Sequence, residues 1–473
     1  MCHQPAYHRR VLDDTWATKP ATEQAQAIRD REISSRELLE LYLDRIDRLD
    51  QSVNAVVTRA VERARAEADA ADTRTTNGGP LPPLHGLPIT VKDAIETAGI
   101  RSTGGAVELR DHVPAVDAPA VARLRTAGAI VFGKTNLPRW SGDVQSFNEL
   151  FGTTNNPWDV TRIPGGSSGG PAAAVAAGFT SFELGTDIGG SVRIPSHCCG
   201  TFGLKPSYGV VPQRGYLDSV GGGTTDADIN VFGPMARSGA DLDLLLTVLA
   251  GPEPARQGAW TLDLPSADFT TLAGRRIGVW LDDPAMPSDP AMLTVLRRAV
   301  DRIADAGARV EEVRPPVDPE HQVAVFMHLV GAAVAVSNTE SGEAAAGSHY
   351  AWLQADRQRA ALQAAWAAWF EGYDALLAPV MFTTAFPHLQ DGNFRTRELV
   401  VAGERRPYSS VVWWTGMFGV LGVPVAVPPV GRTTEGLPVG VQVVTPYLRD
   451  RDAIRTAGLV AEAAGGYEVP PGY

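Results

Sequence analysis

The chain has 473 residues, 44% of them apolar and 20% charged, and a formal net charge of −12. This is the profile of a globular protein with a large buried core, and the acidic balance without a long basic run argues against nucleic acid as a partner. Its three cysteines, two of them adjacent at Cys198 and Cys199, make no disulfide framework, so a reducing, cytoplasmic setting is expected.

In chain order, residues 1–14 are polar and lack the apolar centre of a signal peptide. Ser34 and Glu37 form a capping box ahead of Leu38, Leu39, Tyr42, Ile46 and Leu49, a spacing that predicts an amphipathic helix. A second helix is expected over 61–71, followed by a polar loop over 73–83. Beyond it, short apolar runs alternate with helical ones. Strands are expected at 89–91, 129–132, 277–280, 375–378 and 439–444, and helices at 118–127, 171–177, 291–306 and 349–370. Such alternation argues for a mixed α/β sheet covered by helices. The uncharged stretch within 408–431 is long enough to span a membrane, but Gly416, Gly419, Gly422, Pro424, Pro428 and Pro429 break it. A buried helix and a buried strand are expected there instead. Nine scattered histidines offer no ligand spacing, so no metal site is expected.

Two motif matches are misleading. Gly128 to Thr135 fits a phosphate-binding P-loop, but its middle residues are themselves the expected strand and Pro138 soon follows. Gly165-Gly166-Ser167-Ser168-Gly169 fits a nucleophile elbow, but the preceding residues 157–164 make a poor strand.

Three other segments carry more chemistry together. They are Gly86-Leu87-Pro88 through Lys92-Asp93, Pro164-Gly165-Gly166-Ser167-Ser168-Gly169-Gly170, and Gly185-Thr186-Asp187-Ile188-Gly189-Gly190-Ser191-Val192-Arg193. They supply two hydroxyls, an amine and a run of bare backbone amides, which suffices for acyl transfer without histidine. A buried lysine becomes a base when desolvation lowers its pKa, and a serine can relay a proton by accepting on one side and donating on the other.

These segments, with Gly203-Leu204-Lys205-Pro206, Gly233-Pro234-Met235-Ala236-Arg237, Tyr373-Asp374 and Gly436-Leu437-Pro438-Val439-Gly440-Val441-Gln442, resemble the amidase signature family. The likeness runs over nearly the whole chain and is weakest over 251–370. It implies a single α/β domain of the amidase signature fold, a mixed central sheet sandwiched between layers of helices. Within it, 1–80 would be an N-terminal helical part, 81–250 the signature core, 251–370 a variable region and 371–473 the C-terminal part. By position it implies Ser191 as nucleophile, Ser167 as a serine following a cis peptide bond, and Lys92 as base. The amides of Ile188, Gly189, Gly190 and Ser191 would form the oxyanion hole, and Ser168, Thr186, Asp187 and Arg193 would hold the loops. No cofactor is implied.

The substrate is expected to be a small-molecule amide or carbamate. Arg406-Pro407-Tyr408 through Trp413-Trp414 and Arg449-Asp450-Arg451 are similar to the branch with fatty-acid-amide-hydrolase-like, aryl acylamidase and urethane-cleaving enzymes. Trp140-Ser141-Gly142-Asp143 resembles a stretch that lines the acyl pocket in fatty-acid-amide-hydrolase-like relatives; the small Ser141 and Gly142 there, with Trp140, Trp413 and Trp414 as flat apolar surface, imply a pocket for aryl groups. A monomer or a homodimer is expected. Two other readings stay open. One is the transamidating subunit of a tRNA amidotransferase, against which stand Ile188 and the run Leu137-Pro138-Arg139-Trp140. The other is an inactive binding protein on the same scaffold.

Overall fold

The computed structural model describes residues 12–337 and 346–473. The N-terminal reading, including Cys2, therefore falls mainly outside the described residues. The capping box forms as expected: Ser34 accepts from the Glu37 amide, Glu37 reaches back to the Ser34 amide, and the helix Ser35–Val53 follows. The next helix runs from Val61 to Asn77, well past residue 71 and into the expected loop. Its last turns carry Thr73, Thr75 and Thr76, whose hydroxyls each donate to the carbonyl four residues earlier. That back-bonding satisfies polar side chains inside a helix, and Gly78 ends it.

A nine-stranded sheet forms the centre. From one edge its strands are Arg309–Glu312, Arg276–Val279, Ala375–Pro379, Pro438–Val444, Val425–Val427, Phe202–Lys205, Val231–Ala236 and Glu183–Asp187, with Pro429–Arg432 branching from Pro438–Val444. The first two pairings are parallel and the rest antiparallel, so the sheet is mixed. Side chains alternate between its faces. Ala375, Leu377, Val441 and Val443 join one apolar cluster, with the helices Pro290–Asp305 and Asp450–Ala464. Leu376, Ala378 and Val444 join a second, with Pro319–Ala333, His349–Phe370 and Trp413–Gly419. The sheet is thus packed between helices on both faces.

A smaller sheet places the strand Ile130–Thr135 between Val56–Arg59 and Pro88–Lys92. The strand at 130–135 is longer than its expected core because Gly133 allows close approach; a Cβ there would lie 2.7 Å from the Thr58 carbonyl oxygen. The apparent P-loop is therefore strand, and its Lys134 is buried, donating to the Ile95 carbonyl and to Thr97. Residues 408–431 form a 3-10 turn at Tyr408–Val412, the helix Trp413–Gly419, the strand Val425–Val427 and the start of Pro429–Arg432. No helix of the described residues is long and apolar enough to cross a membrane.

Candidate active site

Lys92 ends the fully buried strand Pro88–Lys92, opposite Thr135 on the neighbouring parallel strand. Its amine nitrogen lies 2.7 Å from Ser167 Oγ and 2.7 Å from Thr186 Oγ1. Burial brings its pKa down to about 7, while Asp187 and Glu183 pull it back up. A fraction of this lysine is therefore neutral near neutral pH.

Ser167 follows a cis peptide bond from Gly166. Neither preceding glycine leaves room for a side chain. A Cβ on Gly166 would sit 2.6 Å from the Val144 carbonyl carbon, and Gly165 has φ +81 with Pro195 backbone at 2.8 Å. Ser168 fastens this turn to its neighbours: its amide donates to the Ser191 carbonyl at 3.1 Å, and its hydroxyl lies 3.3 Å from both backbone groups of Thr186.

The loop carrying Ser191 is built around a buried ion pair. Arg193 and Asp187, exposed by 0% and 1%, meet at 2.9 Å. Burial alone would raise the Asp187 carboxyl. The Arg193 charge and hydrogen bond, Lys205 and the Gly190 amide more than offset it, leaving a pKa of about 2. Arg193 also donates to the Thr415 carbonyl at 2.7 Å and to Gln442 at 2.8 Å. The Thr415 hydroxyl lies 2.7 Å from the Gly189 carbonyl. Ser191 keeps 8% exposure, against 0% for Lys92 and 1% for Ser167. It is the member of the three that solvent reaches most.

The structure corrects two of the expectations here. The resemblance puts Gly190 among four oxyanion donors, but its amide already donates to Asp187 at 2.8 Å, because the loop turns over that carboxylate. Among the described residues, no hydrogen bond engages the amides of Ile188, Gly189 and Ser191. Trp414, expected at the cleft, is fully buried. Its indole N–H donates to the Met286 carbonyl, and its ring packs edge-on to Trp280 at 4.8 Å. It belongs to the second apolar cluster, with Met286, Trp280 and Phe418.

Trp140 is 7% exposed and packs with Ala106 and Leu217. Trp413 is half-buried at the edge of the second core cluster. Trp140 and Ser141 both have left-handed backbones, at φ 50 and φ 57. Gly142 is exposed, and a Cβ there would meet only the Arg139 carbonyl, at 3.3 Å.

Four partners have no counterpart in the sequence reading. Ser146 donates within the Gly165–Ser167 turn and accepts from the Gly169 amide. Asp143 accepts from Tyr408 at 2.6 Å and pairs with Arg397. Thr415 and Gln442 brace Arg193 from more than 200 residues away. Only Gln442 stands in one of the motifs above; the others sit in segments without a telling pattern. Among the described residues, no cluster of His, Cys, Asp and Glu could hold a metal ion.

The Amidase family model matches residues 37–349 and 338–453. The chain belongs to this family. It is an amidase signature protein, in a family of amide hydrolases. It is 34% identical to indoleacetamide hydrolase of Bradyrhizobium diazoefficiens over 471 residues, covering 94% of this chain and 86% of that one. It is 39% identical to a glutamyl-tRNA(Gln) amidotransferase component from a Roseiflexus species, over 66% of this chain and 63% of that one. A bacterial aryl acylamidase of the amidase signature family superposes with a TM-score of 0.81 at 26% identity, covering 96% of this chain and 99% of that one.

Proposed function

We propose that this amidase hydrolyses small amide-type substrates bearing an apolar or aryl group, through an acyl-enzyme on Ser191. The observation that carries the reading is the fully buried Lys92 amine, 2.7 Å from Ser167 and titrating near 7. Neutral Lys92 takes the proton of Ser167 as Ser167 takes that of Ser191. Ser191 Oγ then bonds to the carbonyl carbon. The oxyanion is held by the amides of Ile188, Gly189 and Ser191, which no hydrogen bond engages among the described residues. The proton on Lys92 returns through Ser167 to the leaving nitrogen as the C–N bond breaks. Water, deprotonated by the same relay, then releases the acid and restores Ser191.

The apolar preference is supported by the surroundings of the loop. The Phe326 ring and the Val412 methyl come within 3.6 and 3.9 Å of a Cβ placed on Gly189. Ile188, Met327 and Trp413 are half-buried beside them. The likeness to indoleacetamide hydrolase and to an aryl acylamidase points the same way. The test is a panel of primary amide, anilide, ester and carbamate built on one aryl acyl group. Turnover of the amides with the acyl group trapped on Ser191 supports the reading; ester cleavage alone, or an adduct on another residue, overturns it.

A further inference from the structure

The peptide unit joining Gly189 to Gly190 stands between the two units that carry the Gly189 and Ser191 N–H groups, which no hydrogen bond engages among the described residues. A peptide unit is planar and turns as one piece. Its orientation enters both the ψ of Gly189 and the φ of Gly190, and so helps to set where those two N–H groups point. With glycine on both sides, no Cβ resists a change in these torsions, and Gly190 already holds φ +116. Something other than local sterics has to hold the unit.

It is held at both ends. The Gly190 N–H donates to Asp187 at 2.8 Å, and the Gly189 carbonyl accepts from Thr415 Oγ1 at 2.7 Å. The first tie comes from within the loop; the second comes from the helix Trp413–Gly419. Among the described residues, no other donor reaches the Gly189 carbonyl. The threonine hydroxyl has one hydrogen and two carbonyls in reach, the other being Val412 at 3.0 Å. Val412 is the N-cap of that helix, and an N-cap carbonyl takes the first N–H of its own helix. The shorter contact, to Gly189, is therefore the one that needs the hydrogen. Thr415 is also fully buried and lies close against the loop. A Cβ on Gly190 would sit 2.5 Å from Thr415 Oγ1 and 2.8 Å from its Cβ and Cγ2.

We propose that Thr415 is a positioning residue for the oxyanion hole. Its hydroxyl fixes the Gly189–Gly190 unit, so that the N–H groups of Gly189 and Ser191 stay aimed at the substrate oxygen as that oxygen gains charge. This rests on the reading of an acyl-enzyme on Ser191. The role belongs to the side chain alone: the Thr415 backbone carbonyl, which takes Arg193 at 2.7 Å, remains when the side chain is changed.

The test is Thr415→Val, which keeps size and branching and removes the hydroxyl. On an amide substrate kcat should fall about tenfold, the scale of one lost supporting hydrogen bond, with KM within about twofold. The second readout is inhibition by an aryl trifluoromethyl ketone. Ser191 Oγ bonds to its carbonyl carbon, the serine proton passes through Ser167 to Lys92, and the ketone oxygen becomes the oxyanion. Because this adduct mimics the transition state, its inhibition constant should rise by about the same factor as kcat falls. Thr415→Ser, which returns the hydroxyl, should recover most of both losses. If Thr415→Val does not fold, Thr415→Ala removes the hydroxyl without filling its place and should show the same paired loss. An unchanged kcat overturns the proposal, as does a fall in kcat with unchanged ketone inhibition, or a Thr415→Ser variant as impaired as Thr415→Val. The parent enzyme separates the two readings. No ketone adduct on Ser191 in the parent removes the acyl-enzyme itself, whereas an adduct equally tight in parent and Thr415→Val removes only the role of Thr415.

Discussion

Two loops flank Ser167 and are held in opposite ways. The Asp187–Arg193 loop is organised from within, around one buried ion pair that gathers the Gly190, Val192 and Arg193 amides. The loop at 139–145 is organised from outside. Its Asp143 is clasped by Arg397 and Tyr408 from the C-terminal part, and Trp140 and Ser141 take left-handed backbones that neither residue type favours. The first loop has its central ion pair within its own seven residues, with Thr415 and Gln442 bracing Arg193 from outside. The second takes its shape from partners more than 250 positions away. The proposed chemistry draws on the first loop and the proposed aryl selectivity on the second, and the variants below probe that division.

The largest effect is expected at the inner loop. Ser191→Ala should lower amide turnover by about 10⁴-fold or more while leaving the melting temperature near that of the parent. Trapping with a fluorophosphonate and peptide mapping check the attachment point. Lys92→Ala should cost about 10²–10⁴-fold. In the parent, kcat should fall as pH drops through about 7, because the base must be neutral and burial sets Lys92 there. A level profile from about pH 5 to 9, with chemistry rate-limiting, would contradict that base.

Ser167→Ala should injure amides more than p-nitrophenyl esters, since an amine needs a proton to leave and a nitrophenolate does not. Equal losses on matched substrates would reduce Ser167 to a structural part. Asp187→Asn leaves Arg193 buried without its counter-charge and should destabilise the fold by about 3–5 kcal/mol, read from denaturant midpoints. The sign follows from the depressed Asp187 pKa. The stabilisation is complete above the unfolded carboxyl value of about 4. It is lost as pH falls through about 2, so parent and variant should converge in that window.

The smallest effect tests the outer loop. Gly142→Leu places a side chain at an exposed position beside Ser141 and should lower activity on an aryl carbamate more than on a small primary amide. Equal losses, or none, would take Gly142 out of the pocket and with it the division between the two loops.

The same division explains what could be read in advance. Capping residues, apolar periodicity and glycine punctuation act locally, so the Ser35–Val53 helix, the strand at Lys92 and the sheet-and-helix layering were all legible. The meeting of Lys92 with Ser167 was legible through motif order, whereas Thr186, expected only to hold its loop, also touches the lysine. Three things were not. The helix to Asn77 depended on threonine back-bonding that composition disguises as loop. The commitment of the Gly190 amide depended on which way a carboxylate points. The burial of Trp414 depended on a core face that a run of uncharged residues does not specify. Ser146 and Asp143 make their contacts across the fold, and no local pattern announces them.

The brace on Arg193 also sets an order in time. A growing chain leaves the ribosome from its N-terminus, at about 5–20 residues per second. Lys92, Ser167 and Ser191 emerge early, but the Thr415 carbonyl and Gln442 that hold Arg193 come last. For an interval on the order of ten to fifty seconds the nascent chain carries the whole proposed triad without the brace that fixes its loop. Unfinished or prematurely terminated chains would then be silent toward amides, and competence would arrive only as synthesis ends.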